Sequence, residues 1–357
     1  MMPFLSIDKP LGRTGYGAAV GGAVLLSGVF VGLLAVLDIV TAGQYSALIV
    51  SLGISIVLTM GYQIFAGSTG IVSFGHPGFV AVGAYAAGLV SVPAGMKAAT
   101  LPHLPAFLAT AQLGMVPAIL LGGLAAALVA LLIGPIVMRL AGAAAGIMTF
   151  GFLVIMNELL RNADALTRGN QTFFGVPKLA DFWSVYTAVI LVAALAAAFK
   201  FSRPGLRARA VREDALAAET AGINLVTARL WPWVLSAFVM GCGGALMAFF
   251  LTAFSPKSFY TALVIPMMVM AVLGGLNSVA GAIVGTILLT FWEQLMRGLE
   301  SGGLGFSVPL GTSQLTLGVV LVLTLYLRPG GLLGALELML GKPASRLDGK
   351  KQGDESR

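Results

Sequence analysis

Few residue types in this chain could carry out covalent chemistry. Its two histidines, His76 and His103, lie 27 positions apart, and its one cysteine, Cys242, stands in an apolar run. A metal site needs several nitrogen, sulfur or carboxylate ligands together, and a nucleophilic enzyme needs a nucleophile beside a base. Neither arrangement is indicated here. We therefore expect a chain that is not an enzyme and that holds no metal or cofactor of its own.

Two pairs of opposite charges stand near the ends of apolar segments. Glu158 precedes Arg161 by three residues, and Glu293 precedes Arg297 by four. Both spacings place the two side chains on one helical face, where they can neutralise each other. The spacing favours a surface pair over a substrate site in both cases.

A short polar stretch, GSTGIVSFGH at residues 67–76, interrupts apolar sequence. Irregular backbone at membrane depth is tolerated only where protein buries it or where it lines a wet cavity. One interpretation is a turn that lines or gates a pathway, and the other is a plain cytoplasmic turn before a helix that begins at His76 and Pro77. The candidate pathway or gate residues are Gly67, Gly70, Ser73, Gly75 and His76.

One long charged stretch, residues 200–227, separates the apolar runs. Pro204 and Gly205 are expected to end the preceding helix, and a short helix is predicted over about 212–221, with Gly222 just past its end. Glu213 and Asp214 would favour the first turn of that helix. Its face would present small and apolar groups flanked by two charges, namely Leu216, Ala217, Ala218 and Ala221 with Arg212 and Glu219. Such a face fits a groove of another protein, or the basic residues could meet anionic lipid headgroups.

The overall composition indicates a bilayer as the solvent. Hydrophobic residues make up 58% of the 357 residues and charged residues 10%, whereas soluble domains carry about 25% charged residues. The net charge of +7 is spread around apolar segments rather than gathered in one patch, so we expect contact with membrane lipid and none with nucleic acid.

These long apolar runs predict an all-α, polytopic transmembrane helical bundle of about ten spans, with a range of eight to ten. The predicted spans are 15–37, 46–66, 77–95, 113–138, 141–160, 184–200, 230–253, 261–275, 280–297 and 312–327. The interruption at residues 274–280 is the least marked, since 261–297 could also form one tilted helix.

The basic residues orient this bundle. With both termini cytoplasmic, fifteen of the 21 Lys and Arg residues lie inside, and the six outside are Lys97, Arg161, Arg168, Lys178, Lys257 and Arg297. This distribution follows the positive-inside rule and favours an even number of spans.

The charged loop resembles the cytoplasmic coupling loop of ATP-binding-cassette importer permeases, specifically LivM-type branched-chain amino acid permeases. That loop has a basic stretch, an acidic pair, Ala-Ala-Glu, and Gly followed by Ile-Asn. The positions that match its coupling residues are Arg212, Glu213, Asp214, Ala217, Ala218, Glu219 and Gly222.

Further motifs of the same family follow in order, so that the resemblance covers about 46–334. They lie at 61–89, 167–177, 273–285 and 327–334. The departures are Gln63 in place of Asn, Pro77 after the histidine, Arg168, and the Phe173–Phe174 pair that dilutes a glycine-rich loop.

Composition and the resemblance together predict three parts of the chain, and the resemblance implies a set of partners. The parts are a cytoplasmic arm at 1–14, a permease domain at 15–334 that includes the coupling loop 201–228, and a disordered cytoplasmic tail at 335–357. The partners are a second, LivH-type permease, two cytosolic ATPase subunits and an external or periplasmic solute-binding protein. The chain has no Gly-x-x-x-x-Gly-Lys-[Ser/Thr] phosphate loop, so ATP and magnesium would bind to the ATPase subunits.

The function implied is uptake of a small polar solute across a bacterial cytoplasmic (inner) membrane, with branched-chain amino acids as the expected substrate. Related permeases for urea, amides or another amino acid are the alternative. An ion-coupled secondary transporter is the alternative of a different class, but it would need buried carboxylates or discontinuous helices, and the carboxylates here cluster at segment ends.

Overall fold

The computed structural model describes residues 13–102, 104–302, 308, 309, 311–327 and 330–333. Residues 1–12 of the predicted arm, His103 and the predicted tail at 335–357 lie outside the described residues.

The described chain is almost entirely helical, which confirms the predicted all-α fold. The helices are α1 (Arg13–Val40), α2 (Ser46–Thr69), α3 (His76–Ser91), α4 (Ala94–Thr100), α5 (Ala106–Thr110), α6 (Met115–Val137), α7 (Gly142–Asn162), α8 (Asp164–Thr167), α9 (Phe182–Phe201), α10 (Arg203–Glu213), α11 (Ala215–Thr220), α12 (Leu225–Leu251), α13 (Thr261–Gly274), α14 (Val279–Glu300) and α15 (Thr312–Leu327). Two short strands, β1 (Phe173–Phe174) and β2 (Ala253–Phe254), pair antiparallel, and a 3-10 turn covers Pro256–Phe259.

Eight helical stretches within the described residues are long and apolar enough to cross a membrane, or nine if the bent pair α3 and α4 counts as one span. The prediction of about ten spans is therefore approximate. All ten predicted segments coincide with apolar helices, but α15 is short. The expected break between α13 and α14 is present, because Asn277 and its neighbours form a turn between Gly274 and Val279.

The third predicted span, 77–95, is not one straight helix. α3 ends at Ser91, and α4 leaves at an angle of 116°. Pro93 explains the bend, because a proline disfavours helical backbone at the residue before it, and Val92 is extended with ψ 135°.

Hydrogen bonds join the loops at each end of the bundle. At one end, Arg229 of α12 reaches the Leu140 carbonyl between α6 and α7 at 3.2 Å, and the Leu332 amide donates to the Leu273 carbonyl at 2.8 Å. The same end contains the loop at 202–224, and we call it the coupling side.

The other end, the opposite side, is joined in the same way. Leu113 donates to the Val90 carbonyl at 2.8 Å, and the Asn157 amide donates to the Pro256 carbonyl at 3.2 Å. Successive predicted spans thus alternate in direction.

α12 lies at the centre of the bundle and packs on α2, α3 and α6. Glycine permits this close approach, because a Cβ added at Gly244 would lie 2.0 Å from the Val80 carbonyl oxygen of α3. In lipid, burial of apolar surface gives little advantage between helices, and small residues stabilise the packing by allowing close backbone contact. The predicted tight bundle is therefore present around α12.

Candidate coupling surface and polar cleft

The coupling loop begins with a helix that the sequence analysis did not predict. α9 ends at Phe201, and Ser202 caps α10 through a hydrogen bond from the Gly205 amide to its hydroxyl at 3.3 Å. The expectation that Pro204 and Gly205 end the preceding helix is therefore wrong. Proline fits the first turn of a helix, where its missing N–H is not needed.

α11 is the predicted coupling helix, but it starts later than expected. The Asp214 carboxylate accepts hydrogen bonds from the Leu216 and Ala217 amides, both at 3.0 Å, so Asp214 is the N-cap residue. Arg212 and Glu213 belong to α10 instead of the first turn of α11. An aspartate side chain can hydrogen-bond to nearby backbone amides, which favours the cap position over the helix interior, and Asp214 therefore sets this boundary.

The end of α11 agrees with the prediction. The helix ends at Thr220, and Gly222 has a left-handed φ of 81°. The Ile223 amide returns to the Ala218 carbonyl at 3.0 Å, which is the closing hydrogen bond of a Schellman-type helix end.

The seven predicted coupling residues divide into two groups. Leu216 beside them is 72% exposed. The members that face solvent are Glu213, Asp214, Ala217, Glu219 and Gly222. Ala218 is buried with Val211 and Ala228, and Arg212 is half-buried. The predicted single face is thus exposed on one side and packed against the bundle on the other.

Arg212 is the main connection between the loop and the spans. Its guanidinium donates to the Gly67 carbonyl at the end of α2 at 2.7 Å and to the side-chain oxygen of Asn277 in the turn between α13 and α14. Lys200 donates to the backbone carbonyl of the same Asn277. We call Gly67, Lys200, Arg212 and Asn277 the junction.

Charged donors and close packing hold the junction together. Hydrogen bonds from a charged donor are stronger than neutral ones, and the stem of Arg212 lies against Gly70, where an added Cβ would be 3.0 Å from Arg212 Cγ. These contacts connect α10 to α2 and to the turn between α13 and α14.

Residues 67–76 form the connection from α2 to α3 on the coupling side. Gly70 ends α2 with a φ of 68°, and the Phe74 amide donates to Thr149 Oγ1 of α7 at 3.1 Å. As predicted, α3 begins at His76 with Pro77 in its first turn. The role of Gly67, Gly70, Ser73, Gly75 and His76 as pathway or gate residues stays a prediction.

His76 is fully buried, and both of its ring nitrogens have partners. Nδ1 lies 2.8 Å from Ser73 Oγ, and Nε2 lies 2.8 Å from Ser236 Oγ of α12. Ser236 donates its only proton to the Gly61 carbonyl at 2.7 Å, so Nε2 carries the proton that Ser236 accepts. The aromatic rings nearest to the imidazole have centroids 5.2 to 6.0 Å away and belong to Tyr62, Phe65, Phe79 and Trp233.

A partly enclosed cleft of about 820 Å³ lies between α2, α13, α14 and α15. It is on the opposite side, because α2, α13 and α15 begin there and α14 ends there. Its polar lining includes Ser51, Ser55, Thr59, Thr290, Glu293, Gln294, Arg297, Ser313 and Gln314.

This cleft is not evident from the sequence alone. The available signal was the spacing of Ser51, Ser55 and Thr59, which puts three hydroxyls on one face of an otherwise apolar helix. The partners on three other helices could not be found from the sequence.

Both predicted ion pairs are present. Arg161 lies 3.0 Å from Glu158, and both side chains are about half exposed, as a surface pair requires. Arg297 lies 3.2 Å from Glu293, whose side chain is 16% exposed. The second pair is therefore part of the cleft wall. Among the described residues, no group of three or more metal-ligating side chains comes together.

Comparison with known proteins gives a family match over most of the chain. Residues 44–325 match the model of a family described as the permease component of branched-chain amino acid transport systems. No solved structure matches the chain significantly.

Three similar proteins carry related names. The high-affinity branched-chain amino acid transport system permease protein LivM of Salmonella typhimurium is 27% identical over 314 residues, which cover 78% of this chain and 68% of that protein. LivM of Escherichia coli is 28% identical with the same coverage. The probable branched-chain amino acid transport permease protein LivH of Methanocaldococcus jannaschii is 22% identical over 205 residues, covering 56% of this chain and 64% of that protein.

Proposed function

Because the chain belongs to the family of permease components of branched-chain amino acid transport systems, we propose that it is one membrane subunit of an ATP-binding-cassette importer for branched-chain amino acids. The observation that carries this proposal is the family match across nearly the whole bundle. The chain is a multi-pass membrane protein, and the transport pathway would lie between its helices and those of a second permease.

The names of the relatives support the substrate. Both LivM proteins are described as branched-chain amino acid permeases, and the LivH relative is a probable permease for the same class. Similarity to both LivM and LivH proteins favours a pairing of two related permeases, with this chain as the LivM-type member in a bacterial inner membrane.

The coupling loop would receive the force from two ATPase subunits. Its exposed surface carries Leu216 at the tip of α11, flanked by Glu213 and Glu219. For an exposed leucine on a charged helix, burial in an apolar pocket of a protein partner is more favourable than exposure to water. Docking of that surface and closure of the ATPases would move α10 and α11 as a rigid unit.

The junction would pass this movement into the membrane. Because Arg212 holds both α2 and the turn between α13 and α14, a displacement of the loop acts on three spans at once. Rigid-body movement of packed helices is a common gating mechanism, and in transporters it alternates access to a central site. A solute-binding protein would deliver the substrate at the opposite side.

Co-purification tests the docking surface. We expect the ATPase subunits to co-purify with the wild-type permease pair and to be lost with Leu216→Asp, because a carboxylate cannot enter an apolar pocket without a partner. Leu179→Asp is the matched control, since Leu179 is an exposed leucine outside the coupling loop. Wild-type ATPase binding by Leu216→Asp would contradict the proposed docking site.

Variants at the end of α11 test the coupling itself. Glu219→Ala removes a charge from the docking surface. Gly222→Ala places a side chain on a residue with a φ of 81°, which costs about 1 kcal/mol of backbone strain. We expect both variants to express normally and to lose solute-stimulated ATP turnover and transport. Unchanged coupling in both variants would argue against this role of the loop.

A further inference from the structure

We propose that the cleft between α2, α13, α14 and α15 binds the transported solute as a zwitterionic α-amino acid with an aliphatic side chain. The ammonium group would lie against Glu293 and the hydroxyls of α2, the carboxylate against Arg297, and the side chain on the apolar residues of the cleft. This inference rests on the proposed function and adds a binding site to it.

The α2 wall of the cleft is rich in hydrogen-bond acceptors. Ser51, Ser55 and Thr59 donate their hydroxyl protons to carbonyls of their own helix, at 2.9, 3.0 and 2.8 Å. The partly exposed Ser51 and Ser55 oxygens each keep a lone pair that can accept a further hydrogen bond, whereas Thr59 is fully buried. Because the two serine hydroxyls can accept a hydrogen bond but have no free proton to donate, the α2 wall favours a cationic ammonium group over an anion.

The α14 wall carries one charge of each sign. Glu293 is largely enclosed and Arg297 is mostly exposed, at 3.2 Å from each other. The two side chains are hydrogen-bonded to each other, and an α-amino acid would extend this pair, with its ammonium group on the Glu293 carboxylate and its carboxylate on the Arg297 guanidinium. Glu293 lies deeper than Arg297 because α14 runs toward the opposite side.

Thr290 adds an unpaired hydroxyl next to the charged pair. It lines the cleft one turn deeper than Glu293, and its hydroxyl oxygen is fully buried with no hydrogen-bond partner among the described residues. Buried polar groups almost always have a partner. A bound solute would reach this oxygen only after the Thr290 side chain turns toward the cleft.

The deeper lining is apolar and adaptable. Leu58, Met267 and Met270 lie further from the start of α2 and α13 than Ser51 and Thr261 do. Methionine is unbranched and fills irregular spaces, so this part of the cleft suits aliphatic side chains of several shapes. A volume of about 820 Å³ is within the range of small-ligand sites.

Position in the membrane argues against a lipid-filled cleft. Hydroxyls and charges on spanning helices face either a protein neighbour or water, because hydrocarbon cannot satisfy them. A wet cleft on the side where the solute enters is a suitable place for an entry site.

Cysteine protection tests the site without any need for ATP. In the complete transporter in lipid nanodiscs, with Cys242→Ala as background, we expect Ser55→Cys to react with a small methanethiosulfonate reagent, because Ser55 is partly exposed in the cleft wall. L-Leucine at about ten times its Kd should slow that reaction about tenfold, because only the unoccupied fraction of sites reacts. If Ser55→Cys does not assemble, Ser51→Cys replaces it. A cysteine that does not react, or that leucine does not protect, overturns the proposal.

Two analogues test the zwitterion. Leucine amide lacks the carboxylate and 4-methylpentanoate lacks the ammonium group, so neither should protect at concentrations where leucine does. Equal protection by either analogue, or protection by urea and not by leucine, would overturn the assignment of an amino-acid site.

Protection and import together separate this inference from the proposed function. Glu293→Gln and Arg297→Gln should each raise the L-leucine concentration that half-protects Ser55→Cys at least about tenfold. Glu158→Gln is the matched control, since Glu158 forms an exposed ion pair outside the cleft, and should leave that concentration unchanged. Wild-type import with an unchanged half-protecting concentration in both cleft variants overturns the site and leaves the function intact. Absence of ATP-driven import by the wild type refutes the function, and the protection experiment then still decides the cleft.

Discussion

At the scale of single residues, His76 shows how a buried polar side chain can fix the core of a membrane bundle. It links Ser73 before α3 to Ser236 in the middle of α12. Because the Ser236 hydroxyl donates a hydrogen bond to the Gly61 carbonyl of α2, one chain of hydrogen bonds connects α2, α3 and α12.

The substitution Ser236→Ala tests this network. It leaves the Nε2 proton of His76 without an acceptor in a fully buried site, and we expect the free energy of unfolding to fall by about 1 to 3 kcal/mol. Thermal unfolding in detergent measures the change. Ser301→Ala, which removes an exposed hydroxyl, should change stability by less than about 0.5 kcal/mol. Equal stability of wild type and Ser236→Ala would contradict the network.

The sequence could not have predicted these partners. His76 and Pro77 correctly indicated the start of a helix, because proline is preorganised for the first turn. Ser236, however, is 160 residues away and looks like any other serine in an apolar run. Only the fold brings it within 2.8 Å of the imidazole.

At the scale of helices, close backbone contact organises the bundle. α12 approaches α3 so closely that Gly244 has no room for a side chain, with the Val80 carbonyl 2.0 Å from an added Cβ. The number of glycines indicated tight packing in advance, but not which glycines lie at the crossings.

We expect Gly244→Ala to separate α3 and α12 and to destabilise the protein by about 1 to 3 kcal/mol, as overpacking does. Gly151→Ala is the matched control, since an added Cβ there meets nothing within 4 Å. That control should be neutral or slightly stabilising, because alanine is the better helix former by about 1 kcal/mol. Similar melting temperatures for the two variants would show that the crossing is not tight.

The junction connects α10 with the spans, and Arg212→Ala should separate docking from transmission. The ATPase subunits should still co-purify, because Leu216 and its exposed neighbours are intact, but solute-stimulated ATP turnover should fall about tenfold with the loss of charge-assisted hydrogen bonds. Arg212→Lys should restore it only in part, because lysine lacks the planar fork of arginine.

Arg207→Ala is the control for the junction, since Arg207 is exposed on the same helix. It should keep wild-type coupling. If Arg212→Ala also keeps it, then movement does not pass through the junction.

The coupling loop contains two positions where local sequence rules favour different helix boundaries. Pro204 indicates a helix stop from sequence alone, although proline is equally suited to the first turn of the next helix. The charge of Asp214 favours a first helical turn, but its short carboxylate caps α11 instead. Such boundaries depend on tertiary context, because the tight turn between α9 and α10 requires the Ser202 cap.

At the scale of the whole molecule, the hydrogen bonds that link loops at each end show that the spans alternate in direction. Hydropathy alone predicted this arrangement closely, since continuous apolar runs of spanning length have few other solutions in lipid. It could not predict the bend of 116° between α3 and α4, nor the cleft, which depends on the packing of four separate helices.

Orientation of the bundle is testable with single cysteines. With Cys242→Ala as background, a cysteine at Lys178 should react with an impermeant thiol reagent added to spheroplasts. A cysteine at Ala217 in α11 should react only after the membrane is permeabilised, because the positive-inside distribution places the coupling side in the cytoplasm. The reverse pattern would invert the topology.

The central claim is that separate ATPase subunits power this bundle. Uptake of radiolabelled L-leucine into proteoliposomes that hold the complete complex, with the solute-binding protein outside and nucleotide inside, measures it directly. The account predicts uptake with ATP and magnesium, and none with ADP or with a sodium or proton gradient alone. Uptake at the same rate without ATP would contradict it.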